Sequence, residues 1–349
     1  MKEGYRLLGD FIQPVDERNR DLRVDYLLGV SISKQFIPSI ANIVGTDLSN
    51  YKIVRTGQFA YGPVTSRNGE KISIALLRDK DCIISSSYTV FEVVNKNALD
   101  PEYLMLWFSR PEFDRYARYM SHGSVREIFD WDELCKVELP VPSIDKQRSI
   151  VRAYQTITER IELKRRINDN LEAVLAASHS KMFFSKDTSE HSKLGELMTF
   201  GNGKSRPKTD GTISVYGGNG VLSYTDQHNI ENAVLIGRVG AYCGSVYLEQ
   251  GICWVSDNAI FAKSKIAKDE FFDYFLLKRL NLFNHHVGTG QQLLTQEILN
   301  NIEVPKPVTE QIELFNRKAA SVFGTIFTNS REIIRLQELS DLLLSRLSG

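Results

Sequence analysis

The 349-residue sequence predicts an α+β fold: two strand-rich globular domains separated by a pair of long antiparallel coiled-coil helices. Three observations lead there. The chain contains an internal repeat, each copy closes on a Pro-x-Pro punctuation, and a long stretch of helical period follows each punctuation.

The repeat is clearest in Gly123-Ser124-Val125-Arg126-Glu127-Ile128-Phe129, which matches Gly288-Thr289-Gly290-Gln291-Gln292-Leu293-Leu294 165 positions later. At the same offset Leu134 meets Leu299, Val137 meets Ile302, Glu138 meets Glu303, and Pro140 and Pro142 meet Pro305 and Pro307. Both copies run on into a glutamine, Gln147 and Gln311. Weaker echoes lie upstream: Leu8-Gly9-Asp10 with Leu194-Gly195-Glu196, Cys82-Ile83-Ile84-Ser85 with Cys253-Trp254-Val255-Ser256, and Asp100-Pro101-Glu102-Tyr103-Leu104 with Phe272-Asp273-Tyr274-Phe275-Leu276.

Within each copy, short β-branched or aromatic runs predict strands: Ile53-Val54, 72–77, 88–94 and 233–236. Short helices are expected at 101–108 and 271–280. Proline cannot continue a ladder or a helix interior and holds the preceding residue extended, so 137–142 and 302–307 read as the last extended segment of each domain. Ser143 and Thr309 are N-cap candidates for the helices that follow. The expected boundaries are 1–142 and 188–307 for the domains, 143–187 and 308–349 for the helices.

The second helix carries Ile312, Phe315, Ala319, Val322, Ile326, Asn329, Ile333, Leu336, Ser340, Leu343 and Leu347 at spacings of three and four, a heptad seam. Asn329 is the polar member able to fix its register. The first carries Ile150, Tyr154, Ile157, Ile161, Ile167, Leu171, Val174 and Met182, with a skip near Lys164. Each would span about 55–60 Å at 1.5 Å per residue.

Composition narrows the function. No run of about 18 apolar residues is available to span a membrane, and Met1-Lys2-Glu3-Gly4-Tyr5 offers no signal-peptide core, so the expectation is a cytoplasmic protein with no membrane partner. The four cysteines form no CxxC pair and should be reduced and buried. His285-His286 has no flanking ligand cluster, so no metal is expected. Lys plus Arg equals Asp plus Glu, 43 each, so any affinity for nucleic acid must come from local positive charge or from a partner. Phosphate-loop, HExxH, GxSxG and GxGxxG signatures are absent, as is an Asn/Asp-Pro-Pro-aromatic motif. Asp130, Asp132 and Glu133 read as solvated or capping charges. The expectation is a protein without catalytic activity of its own.

What remains are polar, glycine-rich loops. The first domain offers Tyr61, Thr65, Ser66, Arg67 and Asn68, then Ser87 and Tyr88, then His122, Ser124 and Arg126. The second offers Lys204, Arg206 and Lys208, Tyr216 and Asn219, Arg238, Asn258, and Thr289, Gln291 and Gln292. Arginine reads guanine edges, asparagine and glutamine read adenine, and lysine, serine, threonine and backbone amides hold phosphates. Singly, each loop reads first as an ordinary hairpin turn; in duplicate, with nearby Arg or Gln, they suggest a repeated binding surface.

At this point the chain resembles the specificity subunits of type I restriction–modification systems. The resemblance rests on the stretch Tyr61 to Gly69, on Gly123-Ser124-Val125-Arg126-Glu127, and on Leu139-Pro140-Val141-Pro142-Ser143-Ile144-Asp145-Lys146-Gln147. In the second half it rests on Val234-Leu235-Ile236-Gly237-Arg238-Val239-Gly240, Val304-Pro305-Lys306-Pro307 with Glu310-Gln311, and the terminal Leu342-Leu343-Leu344-Ser345-Arg346-Leu347-Ser348-Gly349. It implies two target-recognition domains, each binding one half of a split double-stranded DNA target across a nonspecific spacer. The helices would set the spacer and dock two methyltransferase subunits, with room for restriction/translocase subunits. S-adenosylmethionine and ATP with magnesium would belong to those partners, leaving this chain without a cofactor. The competing readings are a coiled-coil scaffold that never touches DNA, and a specificity subunit of a related modification or defence complex lacking a nuclease.

Overall fold

The computed structural model describes residues 4–39, 45–66, 68–123, 126–185, 190–288 and 290–348. The chain divides into two compact units, 1–163 with 333–349 and 164–332.

In the first unit the strands are β1 (Tyr5–Leu7), β2 (Ile12–Val15), β3 (Leu28–Val30), β4 (Phe36–Pro38), β5 (Lys52–Val54), β6 (Phe59–Tyr61), β7 (Ile74–Leu76), β8 (Cys82–Ile84), β9 (Thr89–Val93) and β10 (Glu138–Pro140). The helices are α1 (Pro101–Phe108), α2 (Pro111–Tyr119) and α3 (Trp131–Cys135). A four-stranded sheet runs β2-β9-β6-β7, and β3-β4, β5-β8 and β1-β10 form two-stranded ladders. Side chains alternate across the sheet. Phe59, Tyr61, Ile74, Leu76, Phe91 and Val93 face a core shared with α1 and α2, while Ala60, Ala75 and Val90 face a second core under the β3-β4 and β5-β8 ladders. Both faces are covered, which is why these strands read as continuous apolar runs rather than alternating ones. Asp100 caps α1 by accepting from the amides of Glu102 and Tyr103, with Pro101 in the first turn.

The long helix α4 (Ile144–Phe184) leads into the second unit, which holds β11 (His191–Lys193), α5 (Leu194–Leu197), β12 (Met198–Asn202), β13 (Ile213–Gly217), β14 (Gly220–Thr225), β15 (Ile230–Gly237), β16 (Val246–Val255), β17 (Ala259–Ser264), α6 (Phe271–Arg279), α7 (Gln296–Asn300) and β18 (Glu303–Pro305), then the long helix α8 (Thr309–Ser345). Its sheet runs β12-β17-β15-β16-β13-β14. The first four strands repeat the order β2-β9-β6-β7.

The repeat is a repeat of contacts. β1 pairs β10 and β11 pairs β18 in the same antiparallel register. Leu8 N–H donates to Val137 O at 2.8 Å, and Leu194 N–H to Ile302 O at 2.9 Å. A Cβ on Gly9 would stand 2.9 Å from the Cβ of Cys135, and one on Gly195 2.5 Å from the Oδ1 of Asn300. The faint Leu-Gly-acid echo is therefore a packing constraint met twice. One paired residue departs from the sequence alignment. Gln147 is fully buried and clamps the loop before α1, accepting from Asp100 N–H and donating to Ala98 O, each at 2.9 Å. In the second unit Asn316 does this, bonding Phe272 N–H at 2.8 Å and Asp269 O at 2.7 Å, while Gln311 is exposed. The first turn of α8 points Gln311 outward, so the clamp is supplied one turn later.

The seam of α8 is buried largely as its period predicts, through Ile312, Phe315, Ala319, Asn329, Ser340 and Leu347. In α4, Ile167 and Val174 are instead exposed, and the inward positions are Ile161, Leu175 and His179. The skip near Lys164 is a polar step in the seam. In the second unit, Lys164 Nζ donates to Asn329 Oδ1 at 2.9 Å and pairs with Glu332 at 2.9 Å, and Asn329 Nδ2 donates to Asn168 Oδ1 at 2.9 Å. These pairings run in opposite senses along α4 and α8, so the two segments are antiparallel. Thr309 is the first helical residue of α8, so the capping position falls on Val308.

The four cysteines are free: Cys82, Cys243 and Cys253 are buried, and Cys135 is half-buried. Burial pushes the Cys82 and Cys253 thiols up to about 12, far from the reactive range.

Candidate nucleic-acid interface

In each unit a glycine-led loop folds back on the end of a central strand. In the first, His122 and Ile128 exchange backbone hydrogen bonds of 3.1 and 2.9 Å. Thr65 N–H donates to Glu127 O at 3.0 Å, and Phe129 N–H to Pro63 O at 2.9 Å. In the second, Val287 and Leu293 exchange two bonds of 2.9 Å, Gly240 N–H donates to Gln292 O at 3.0 Å, and Leu294 N–H to Arg238 O at 2.9 Å. Only glycine suits the loop entry. Gly123 sits at φ 140° with Arg126 O 2.1 Å from where a Cβ would be, and Gly288 at φ 92° with Gln291 O at 2.4 Å.

This crossing builds a cleft of about 320 Å³ in the first unit. It gathers four of the expected residues, Asn68, Ser87, Tyr88 and Arg126. Arg126 is exposed and carries no ion pair among the described residues, whereas Arg118 is held in an ion pair with Glu127. Ser87 is exposed beside Ser85, 3.1 Å between hydroxyls, and His122 and Ser66 are exposed. Arg67 and Ser124 lie outside the described residues.

Two expected contacts are corrected. Tyr61 is 1% exposed inside the sheet core, where burial pushes its phenol up, so it supports the loop from beneath. Thr65 is 2% exposed, its Oγ1 2.9 Å from Ser121 Oγ and donating to Glu127 O at 3.2 Å, so its hydroxyl is consumed in holding the crossing. Periodicity cannot distinguish the last buried residue of a strand from the first exposed residue of its loop.

In the second unit Arg238 N–H donates to Asn258 O at 3.0 Å, which joins two expected readers. Arg238 Nε is buried without a partner among the described residues, as is Ser256 Oγ. Asn258, Asn219 and Gln291 are exposed and Gln292 is half-buried. Thr289 lies outside the described residues. Tyr216 is largely occupied: its hydroxyl donates to Glu249 Oε2 at 3.0 Å, and burial together with that carboxylate pushes the phenol up. Lys204 is fixed by backbone bonds, its N–H to Val255 O at 2.9 Å and its O from Trp254 Nε1 at 3.4 Å. Gly203 permits this, since a Cβ there would lie 2.0 Å from Ser256 O. Lys204, Arg206 and Lys208 are exposed and carry no ion pairs among the described residues. The positive charge that a neutral chain must concentrate locally is therefore available here.

No sequence pattern pointed to Ile32, which lines the first cleft at 45% exposure, or to Tyr242, 49% exposed with its Cβ 3.8 Å from where a Gly218 side chain would begin. Neither belongs to a recognisable pattern; both sit in turns between consecutive paired strands, Ile32 between β3 and β4 and Tyr242 between β15 and β16. Among the described residues no group of three or more His, Cys, Asp or Glu could hold a metal ion, and no helix is long and apolar enough to cross a membrane. Asp130 caps α3 by accepting from Glu133 N–H at 2.9 Å.

The duplicated crossing defines a protein built from two copies of one structural module. The model of the type I restriction modification DNA specificity domain matches residues 35–173 and again 186–339, and the chain belongs to that family of specificity subunits. It is similar to the specificity subunit of the type I restriction enzyme MjaIX of Methanocaldococcus jannaschii, 20% identical over 73% of this chain and 70% of that one. It is also similar to the HindI specificity subunit of Haemophilus influenzae, 24% identical over 42% of this chain and 32% of that one. The crystal structure of a type I restriction-modification S subunit from M. genitalium shares the fold, with a TM-score of 0.64 and 15% identity over 99% of this chain and 96% of that one.

Proposed function

We propose that this chain reads a bipartite double-stranded DNA target, one half-site by each unit, and docks two methyltransferase subunits without catalysing a reaction itself. The observation that carries the reading is the duplicated loop crossing. Each copy presents arginine and amide groups beside a strand end, the chemistry suited to base edges and phosphates. In the first unit we assign recognition to Arg126, Asn68, Ser87 and Tyr88; in the second to Arg238, Asn258 and Gln291, with Lys204, Arg206 and Lys208 on phosphates. Methyl transfer from S-adenosylmethionine belongs to the partner subunits, as does ATP use by any restriction/translocase subunit that joins them. We take the working domains as 1–142 and 188–307, with 143–187 and 308–349 as the spacer helices.

The test is methylome sequencing of cells expressing this chain with its cognate methyltransferase. The expected result is one methylated motif of two short half-sites with a fixed unspecified spacer. A continuous motif, or no methylation, would overturn the reading. Methyl transfer by the highly purified chain alone would overturn the non-catalytic assignment.

A further inference from the structure

The cleft of the first unit has an apolar wall that its polar readers do not use. The turn between β3 and β4 carries Ile32 into the lining, beside Asn68, Tyr88 and Arg126. A single exposed isoleucine needs no explanation of its own; this one is held in place by buried groups. Ser31 N–H donates to Gln35 O at 2.9 Å and Lys34 N–H to Ser31 O at 3.0 Å, which closes the turn. Lys34 takes a left-handed φ of 62°, and its side chain leaves the turn for the interior. Its Nζ donates to Asp114 Oδ1 at 2.6 Å and to Ile72 O at 3.3 Å. The side chains of this ion pair are only 9% and 10% exposed. Asp114 also accepts from Ile72 N–H at 3.1 Å, so the pair ties the turn to α2 and to the segment leading into β7. On the other side of the turn Val30 N–H stands 3.5 Å from the Tyr88 hydroxyl.

A buried ion pair adds little net stability to a surface turn; here it fixes where the turn stands. The lysine's charge is neutralised inside the protein and is not offered to a phosphate. What the turn presents to the cleft is the isoleucine, with Val30, Pro63 and Val64 continuing the apolar wall. The major groove displays one apolar group, the methyl on carbon 5 of thymine. We infer that Ile32 is a specificity-determining residue of the first unit, reading the 5-methyl of a thymine beside the base pair contacted by Arg126. The same methyl is carried by 5-methylcytosine; thymine is favoured because Asn68 lines the same cleft, and its amide suits the adenine of an A·T pair. Uracil at that position would leave the isoleucine facing a missing methyl, and one buried methyl changes affinity by about three- to tenfold. This rests on the reading that the first unit contacts DNA bases.

The experiment measures binding of the assembled complex, this chain with its cognate methyltransferase, to duplexes of the recognised motif. Each thymine in turn is replaced by uracil, which removes the methyl and keeps Watson–Crick pairing. At one thymine the replacement should weaken binding by about three- to tenfold. Ile32→Ala should bind the thymine and uracil versions of that site equally, and Ile32→Val should keep part of the preference. The other half-site should be read unchanged by both variants, which shows that they are folded. Arg126→Ala should act in the same half-site as Ile32→Ala. Tolerance of uracil at every thymine, discrimination that survives Ile32→Ala at every sensitive thymine, or effects of Ile32→Ala and Arg126→Ala in different half-sites would overturn the inference. Tightening by 5-methylcytosine in place of cytosine, with uracil tolerated throughout, would also overturn it, by assigning the methyl to a modified base. Absence of any bipartite motif would instead overturn the proposed function on which it stands.

Discussion

Asn329→Ala should destabilise the second unit by about 2–4 kcal/mol. Asn329 is 8% exposed and bonds two other polar side chains, Lys164 and Asn168, in a largely apolar seam. Its Oδ1 accepts from Lys164 Nζ at 2.9 Å and its Nδ2 donates to Asn168 Oδ1 at 2.9 Å. The Lys164 side chain is only 16% exposed, so the ammonium cannot fully recover the lost acceptor from water and keeps Glu332, at 2.9 Å, as its partner. A hydrogen bond to a charged group contributes about 1.5–3 kcal/mol and a neutral one about 0.5–1.5 kcal/mol. Their sum, less some relaxation, gives the estimate. For a unit of this size it corresponds to a fall in Tm of roughly 5–15 °C. The complementary variant is Lys164→Met, Asn168→Leu and Asn329→Leu together, which replaces the three side chains joined by the Asn329 amide and leaves Glu332, 32% exposed, to water. It should regain the loss or exceed wild-type stability by about 1–4 kcal/mol, at the expense of a fixed helix register. Urea unfolding monitored by circular dichroism, with hydrogen exchange of peptides covering 161–171 and 322–336, reads both outcomes. If Asn329→Ala shifts stability by less than about 0.5 kcal/mol, or the triple variant is worse than the single one, the polar step does not act as a unit.

Four further outcomes are expected. Arg126→Ala and Arg238→Ala should each relax specificity at one base pair by about 1–3 kcal/mol, while Lys204→Ala weakens binding to all sequences alike and lowers the salt slope by about 1; quantitative binding of the assembled complex to a site library measures both. Gly288→Ala forces a side chain against Gln291 O at φ 92° and should erase reading of one half-site while leaving the other, as methylome sequencing would reveal. Burial holds His179 down to about 4 and lifts Asp273 to about 7. The histidine's contribution to stability is complete above its unfolded value near 6.5 and is lost as pH falls to 4, by about 3 kcal/mol; the aspartic acid's contribution is complete below its unfolded value near 3.8 and is lost as pH rises to 7. The two offset each other between pH 4 and 6.5, so Asp273→Asn should expose a steep acid loss in urea titrations that the wild type lacks. Four residues inserted in both helices should lengthen the recognised spacer by about two base pairs without changing the half-sites; the bond between Lys164 and Asn329 sets the matched insertion points at those residues.

The sequence by itself determined the parts whose physics is local. Proline geometry marked β10 and β18, heptad spacing found α8 and singled out Asn329, and residues repeated at a fixed offset disclosed two copies of one module. Even the faint pairing of Gly9 with Gly195 was legible, because each stands in close approach to the end of a short helix, at Cys135 and Asn300. Tertiary structure alone decided which side of each element meets water. It buried Tyr61 and Thr65 while leaving Arg126 exposed, since only the bonding of the segment after β6 to Glu127 and Phe129, far along the chain, fixes which way each side chain turns. It moved the clamp from Gln311 to Asn316, where helix phase and not sequence alignment sets the inward direction. It also showed the skip in α4 to be a seam completed by Lys164, because a lysine reads as polar until a second helix supplies its acceptors. Burial and partnering are properties of pairs of segments far apart in the chain, and a one-dimensional pattern carries the preference of each segment but not its partner.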